Sequence, residues 1–257
     1  MNKTLLFAAL CTATLPAHAV DGEILITQAK ALAGNVTPGD APGFPVTLSL
    51  PGKYKLAGSL TLQQDQSAIE FTAPDVALDL NGFKIQGPIT CTGFGASLAC
   101  GSGNVDTVAV NGHSITSATV RNGTIQGFNW GVYGVGYSSL VEDLNLRDIG
   151  ATGIIASTGS IVRANRLYAV GSGIISGGLI SGNTVLNART TGISANYGDL
   201  VMGNQVYYTG HAGINAEGQG SAAIVHNAAS ISGNGIPING GDSLGGGTHN
   251  SCGGNLC

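Results

Sequence analysis

Six times between Val120 and Asn227 the chain repeats V-x-x-N-x-V or a close variant of it, and a Gly-Ile or Gly-Val pair follows each copy roughly seven residues later. The copies are VRNGTI from Val120, VEDLNL from Val141, VRANRL from Val162, ISGNTV from Ile180, VMGNQV from Val201 and IVHNAA from Ile224. Their starts lie 21, 21, 18, 21 and 23 residues apart. The closing glycines keep step at Gly131, Gly153, Gly173, Gly192, Gly213 and Gly235. A period near twenty is the mark of a solenoid, in which one unit buries its apolar face only against its neighbours. Few other folds tolerate such a pattern.

Within a unit, Val162, Asn165 and Leu167 recur as types in neighbouring copies, whereas Arg163 and Arg166 vary. The recurring positions therefore face inward and the varying ones face solvent. Ile, Val, Thr and Asn among abundant glycine favour short strands and turns over helix. Asn165, Asn183, Asn204 and Asn227 hold one place in successive coils. At a strand spacing of about 4.8 Å, their amides can bond to one another up the stack. Gly123 and Leu144 interrupt this column, and looser stacking is expected there. The rival solenoid is a leucine-rich repeat, which its missing L-x-x-L-x-L-x-x-N pattern and the glycines in the return segments, where a helix would run, argue against.

The ends read differently. Lys3, the apolar run Leu5 to Leu15 and Ala17-His18-Ala19 make residues 1–19 an export signal with a small-x-small cleavage site. No later run reaches the ~18 apolar residues of a membrane span. Four cysteines follow the signal as two local pairs, Cys91 with Cys100 and Cys252 with Cys257. In an oxidising compartment they form two short disulfide loops; distant pairings would require the two ends of a solenoid to meet. Metal-binding spacing of the C-x2-C kind is absent. The formal charge of −4 argues against nucleic acid or an anionic membrane as partner.

Upstream, PGKYKLAGSLTL and LDLNGFKIQG precede the first cysteine pair, VRNGTIQGF and a final NSCGGNLC. These stretches resemble the secreted bacterial right-handed parallel β-helix repeat proteins of the pectate-lyase-like superfamily. The resemblance implies an all-β, right-handed parallel β-helix of about seven to eight coils. Residues 20–61 would form an N-terminal cap with a short helix or strand at Ile24 to Leu32, 62–239 the coils, and 240–257 a disulfide-closed tail. A loop from Pro88 to Val105 is thrown out of one turn. The superfamily holds lyases, hydrolases, epimerases and tailspikes, so function rests on a site.

Two outward columns follow from aligning the units. One reads Thr124, Asn145, Arg166, Thr184, Gln205; the other reads Gln126, Arg147, Tyr168, Leu186, Tyr207. Guanidinium forks suit carboxylates and tyrosine rings suit sugar faces, so Arg147, Arg166, Tyr168, Gln205 and Tyr207 are candidate ligand-binding residues for a polysaccharide or cell-surface glycan. The next turn carries Asp148, Asn187, Arg189, Tyr208 and His211. By resemblance to the lyases, Tyr208 or His211 would be the base or acid and Arg189 the group neutralising a uronate carboxylate. His113 and His226 read as structural or solvent-facing. The acids Asp79, Asp106, Glu142, Asp143, Asp148, Asp199 and Glu217 are scattered, without the clusters that calcium lyases and glycoside hydrolases need. Glu142 and Asp143 instead suit salt bridges to Arg121 or Arg163. No phosphate loop, G-x-S-x-G or H-E-x-x-H occurs, and no cofactor or metal is expected. Three functions remain: a glycan binder along the Arg/Tyr strip, a polysaccharide lyase or epimerase, or a structural, adhesin-like solenoid.

Overall fold

The computed structural model describes residues 22–101, 106–196, 198–216, 222–232, 235–240 and 251–252. Residues 1–19, expected to be an export signal, lie outside the described residues, as do Glu217, most of the glycine-rich tail, Cys257 and the expected second cysteine pairing. What is described is a parallel β-solenoid with one helix of six residues, Gln28–Ala33. Thr27 caps that helix by accepting the Lys30 N–H at 3.1 Å, and Gly34, at φ 75°, ends it.

Successive coils contribute strands to three faces, which we term sheets A, B and C; the first coil has the helix in place of a sheet B strand. The inward positions of sheet A stack as Ile24, Tyr54, Leu78, Val120, Val141, Val162, Ile180, Val201 and Ile224. Sheet B stacks Leu60, Ile85, Ile125, Leu146, Leu167, Val185, Val206 and Ala229, and the strand Ser251–Cys252 pairs beyond Ala228 and Ala229. Sheet C stacks Val46, Ile69, Val110, Val132, Ile154, Ile174, Ile193, Ile214 and Ile238. These columns make about nine turns instead of the expected seven to eight. The difference arises because Glu23–Ile26 and Val46–Leu48 pair as rungs of the same stack. Burying each Val, Ile or Leu is worth roughly 1.5–3 kcal/mol, so the interior columns dominate stability.

The asparagine column is a hydrogen-bonded ladder inside the corner between sheets A and B. Asn183 Nδ2 donates to Asn204 Oδ1 at 3.0 Å and to the Val162 carbonyl at 2.9 Å. Its Oδ1 accepts the Asn165 N–H and Asn165 Nδ2, each at 3.0 Å. Asn204 repeats the pattern onto Asn227. All four amides are buried, and a buried amide is tolerated only when its donors and acceptors are met in this way. The residue before each rung turns the corner in the left-handed region: Asn122, Asp143, Ala164, Gly182, Gly203 and His226 have φ between 52° and 64°. His226 is thus a corner residue.

Stacking at Gly123 and Leu144 is not loose. Their register runs unbroken from Thr124 to Gln126 and from Thr119 to Arg121 on either side. A Cβ on Gly123 would overlap Leu80, which fills the space beneath, and the Leu144 N–H bonds to Asn165 Oδ1 at 3.1 Å. The closing glycines have their own cause. A Cβ on Gly153, Gly173 or Gly192 would overlap Leu167, the Gly192 carbonyl or Val206, so sheets B and C approach too closely there for any side chain. Gly235 does not belong to that column: Ile238 pairs with Ile214, and Pro237 sits against Gly213 instead.

Candidate functional site

The segment between the sheet B strand Lys84–Gln86 and the sheet C strand Val108–Asn111 does not stay in its own coil. Residues 87–101 leave the stack and lie as a strap along the corner between sheets B and C of later coils. The strap is a small hairpin, with Cys91 paired to Cys100 by both strand register and a disulfide. Asp148 Oδ1 accepts the Cys91 N–H at 3.4 Å, and its Oδ2 accepts Gln126 Nε2 at 2.8 Å. Fully buried Asn187 takes the Gly95 N–H at 2.7 Å and donates to the Gly93 carbonyl at 3.0 Å. Ala96 closes on Gly210, where any Cβ would strike it. Asp148 and Asn187 are therefore anchors of the strap.

The corner beneath it is left-handed in five successive coils, at Gly127, Asp148, Ala169, Asn187 and Tyr208, with φ from 55° to 82°. A bulky residue is uncommon in that region. Tyr208 adopts it with its ring 52 % exposed and set edge-on to Phe94 at the strap's tip, 6.3 Å between centroids. Arg189 and His211 follow the same corner one coil apart and are exposed. Arg189 Nη2 reaches the Gly150 carbonyl at 3.1 Å, and the His211 backbone N–H bonds to the Thr190 carbonyl at 3.0 Å. Arg189, Tyr208 and His211 thus share one corner, and Phe94 joins them from 95 or more residues upstream. Sequence reasoning missed Phe94. The only signal for it was a large aromatic between glycines inside a cysteine-closed loop.

On the outer face of sheet B, Lys84, Thr124, Asn145, Arg166, Thr184 and Gln205 are in register, flanked by Gln86, Gln126, Arg147, Tyr168, Leu186 and Tyr207. Arg147, Arg166, Tyr168 and Gln205 are exposed and Tyr207 is half-buried. A depression of about 390 Å³ at the edge of this face is lined by Asp143, Asn145, Arg166 and Thr184.

Charge is sorted between the faces. Sheet A carries the ion pairs Lys55–Glu23 at 3.4 Å, Arg121–Asp79 at 3.1 Å and Arg163–Glu142 at 2.7 Å. Glu142 is therefore an ion-pair partner. Among the described residues Lys53 of sheet A and Lys84, Arg147, Arg166 and Arg189 make no such pair with a carboxylate; Lys84 instead reaches Gln126 Oε1 at 3.3 Å. His113 pairs with Glu70 at 2.6 Å, on the side of sheet C.

Asp199 is a buried carboxylate that serves the backbone, accepting the N–H groups of Gly178 and Asn196. Burial outweighs those bonds and pushes its carboxyl up from the usual range. No group of three or more His, Cys, Asp or Glu among the described residues is placed to hold a metal ion. No described helix is long and apolar enough to cross a membrane. Neither a protein-family model, a curated protein nor a solved structure matches the chain.

Proposed function

We propose that this is an exported β-helix protein of the pectate-lyase-like superfamily that binds an extended carbohydrate along the outer face of sheet B. One observation carries the reading: Arg147 and Arg166 lie on that face beside Tyr168 and Tyr207 without a carboxylate partner, whereas the sheet A arginines Arg121 and Arg163 are both paired off. Guanidinium groups neutralised within the fold have little left for a ligand; these keep their donors. Rungs about 4.8 Å apart present such groups at a spacing comparable to one sugar unit, so a chain lying along the axis meets a repeated surface. The test is affinity electrophoresis through gels cast with different polysaccharides. Retardation that disappears in the Arg147→Ala/Arg166→Ala double variant supports the proposal. A double variant retarded as strongly as the parent protein rejects it.

A second reading, a polysaccharide lyase or epimerase, is favoured by the convergence of Arg189, Tyr208 and His211 on one corner at the strap's tip. In this reading Arg189 neutralises a uronate carboxylate, while Tyr208 or His211 moves the proton next to it. Cleavage of uronate polymers with ultraviolet absorbance from unsaturated ends, lost in His211→Ala or Arg189→Ala, is the result the lyase requires. A flat trace removes the lyase and leaves the epimerase, the binder or the structural solenoid.

A further inference from the structure

The outer face of sheet C has a chemistry unlike either of its neighbours. Two columns run along it, the first facing outward and the second partly covered, since Val108 and Thr152 in it are buried. One passes through Glu70, Asn111 and Tyr133, and resumes further up with Ile155, Ile175, Ser194 and Asn215; the other passes through Val108, Trp130, Thr152 and Ser172. Neither contains a lysine or an arginine. The one acid, Glu70, is taken by His113 at 2.6 Å. At the centre of the lower rungs Trp130 and Tyr133 form an edge-to-face pair with centroids 5.0 Å apart. Tyr133 is 39 % exposed and Trp130 is half-buried.

Two inward residues separate the rings along the strand, because Gly131 and Val132 both point into the core. A Cβ on Gly131 would overlap Leu146, and Val132 is fully buried. The glycine kink that lets sheets B and C approach therefore also brings residues three apart onto one outer surface. In register with Tyr133 lies the half-buried Asn111 amide, while on the Trp130 column Thr152 is buried and the Ser172 hydroxyl is bonded to that of Thr190 at 2.7 Å.

From this we infer a second binding surface, centred on Trp130 and Tyr133, that takes an uncharged glycan. Aromatic faces stack on the C–H face of a pyranose ring, and the neighbouring Asn111 amide meets its hydroxyl groups. An acidic sugar finds no cation in these columns and meets Glu70 instead, so the charge pattern selects a neutral chain. The strap, running along the corner between sheets B and C, separates this surface from the cationic strip. The site stands independently of the reading of sheet B.

Trp130 is the only tryptophan, so its emission reports this surface directly. The experiment is a fluorescence titration of the full chain with cello-, xylo-, manno- and malto-hexaose. A saturable change in emission is expected with at least one of them, weakened tenfold or more in Tyr133→Ala and retained in Tyr133→Phe, which keeps the ring. The Arg147→Ala/Arg166→Ala variant should titrate like the parent. No emission change with any of the four sugars overturns the inference, as does an undiminished titration in Tyr133→Ala. Joint loss in the Ala and Phe variants also overturns it, because the ring would then not be the binding group.

Discussion

The first four coils and the last five solve the same problem by different means. In the early coils the interior is filled by large rings: Tyr54, Phe71 and Phe128 are almost wholly buried, and Phe44 and Phe83 pack against them. The corners there vary in length, and no amide ladder exists. In the later coils the interior is aliphatic, and Asn165, Asn183, Asn204 and Asn227 lock one coil to the next. The first arrangement relies on volume, which any well-shaped apolar group can supply. The second relies on direction, because every amide needs its neighbour's amide at a fixed place. A solenoid rung tolerates great freedom of sequence where it is filled, and almost none where it is hydrogen-bonded.

Substitutions at Phe71 and Asn183 would break that comparison most directly. Phe71→Ala should cost about 3–5 kcal/mol by leaving a cavity, and Phe71→Leu should recover much of it. Asn183→Ala should cost about 3 kcal/mol, because the Asn165 donors and the Asn204 acceptor lose a partner in a buried place. Asn183→Leu should recover nothing, since its volume cannot meet those groups. Denaturant unfolding of the four variants measures the contrast. Equal rescue by leucine at both sites would mean the two halves are not held differently.

The strap offers a second test, of about 2–3 kcal/mol. Coils in a solenoid touch only their neighbours, so stability is normally a sum of local terms. The strap breaks that rule by leaving the coil of Lys84–Gln86 and resting on Asp148, Asn187 and Gly210 in later ones. Cys91→Ser should lower stability by the amount a short disulfide loop contributes. Asn187→Ala should then cost little more in the Cys91→Ser background, because both act through one segment. Hydrogen exchange should show the loss in the later coils, where the anchors sit, as well as in the strap. Protection lost from the strap alone would leave the solenoid with neighbour contacts only.

Legibility in the sequence followed the same division. The repeat from Val120 onward was readable because the ladder demands one residue type at one place, and the columns of sheet B follow from the same alignment. The coils before it were under-counted. Tyr54, Leu78 and Val120 share a column without sharing a type, and Leu78 reaches sheet B through two more residues than Val120 does. Gly235 was misassigned because a Gly-Ile pair looks alike two residues out of register, and only pairing distinguishes it from Pro237. The strap and its Phe94–Tyr208 contact were illegible, since no local pattern says where a loop will come to rest. The aromatic pair on sheet C escaped for another reason: residues three apart share a strand face only across the Gly131 kink, which a strict alternation of two does not anticipate.

The smallest expected effect concerns the corners. Some corners turn with glycine, at Gly82, Gly127, Gly182 and Gly203, whereas Ala164 and Ala169 hold φ of 55° with a side chain. For an L-residue the left-handed region costs roughly 1–2 kcal/mol. Glycine removes that strain but loses roughly 0.5–1 kcal/mol through the freedom of its unfolded chain. Ala164 is exposed, so replacing it removes no packing, while Ala169 is 3 % exposed and its methyl group fills space. Ala164→Gly should therefore stabilise by about 0.5 kcal/mol, and Ala169→Gly should be neutral or slightly worse. Thermal melts of the two variants side by side would resolve the difference. If Ala164→Gly destabilises, the later coils are holding their corners against the strain by the ladder at Asn165 next door, and the contrast between filled and hydrogen-bonded coils would extend from the interior to the turns.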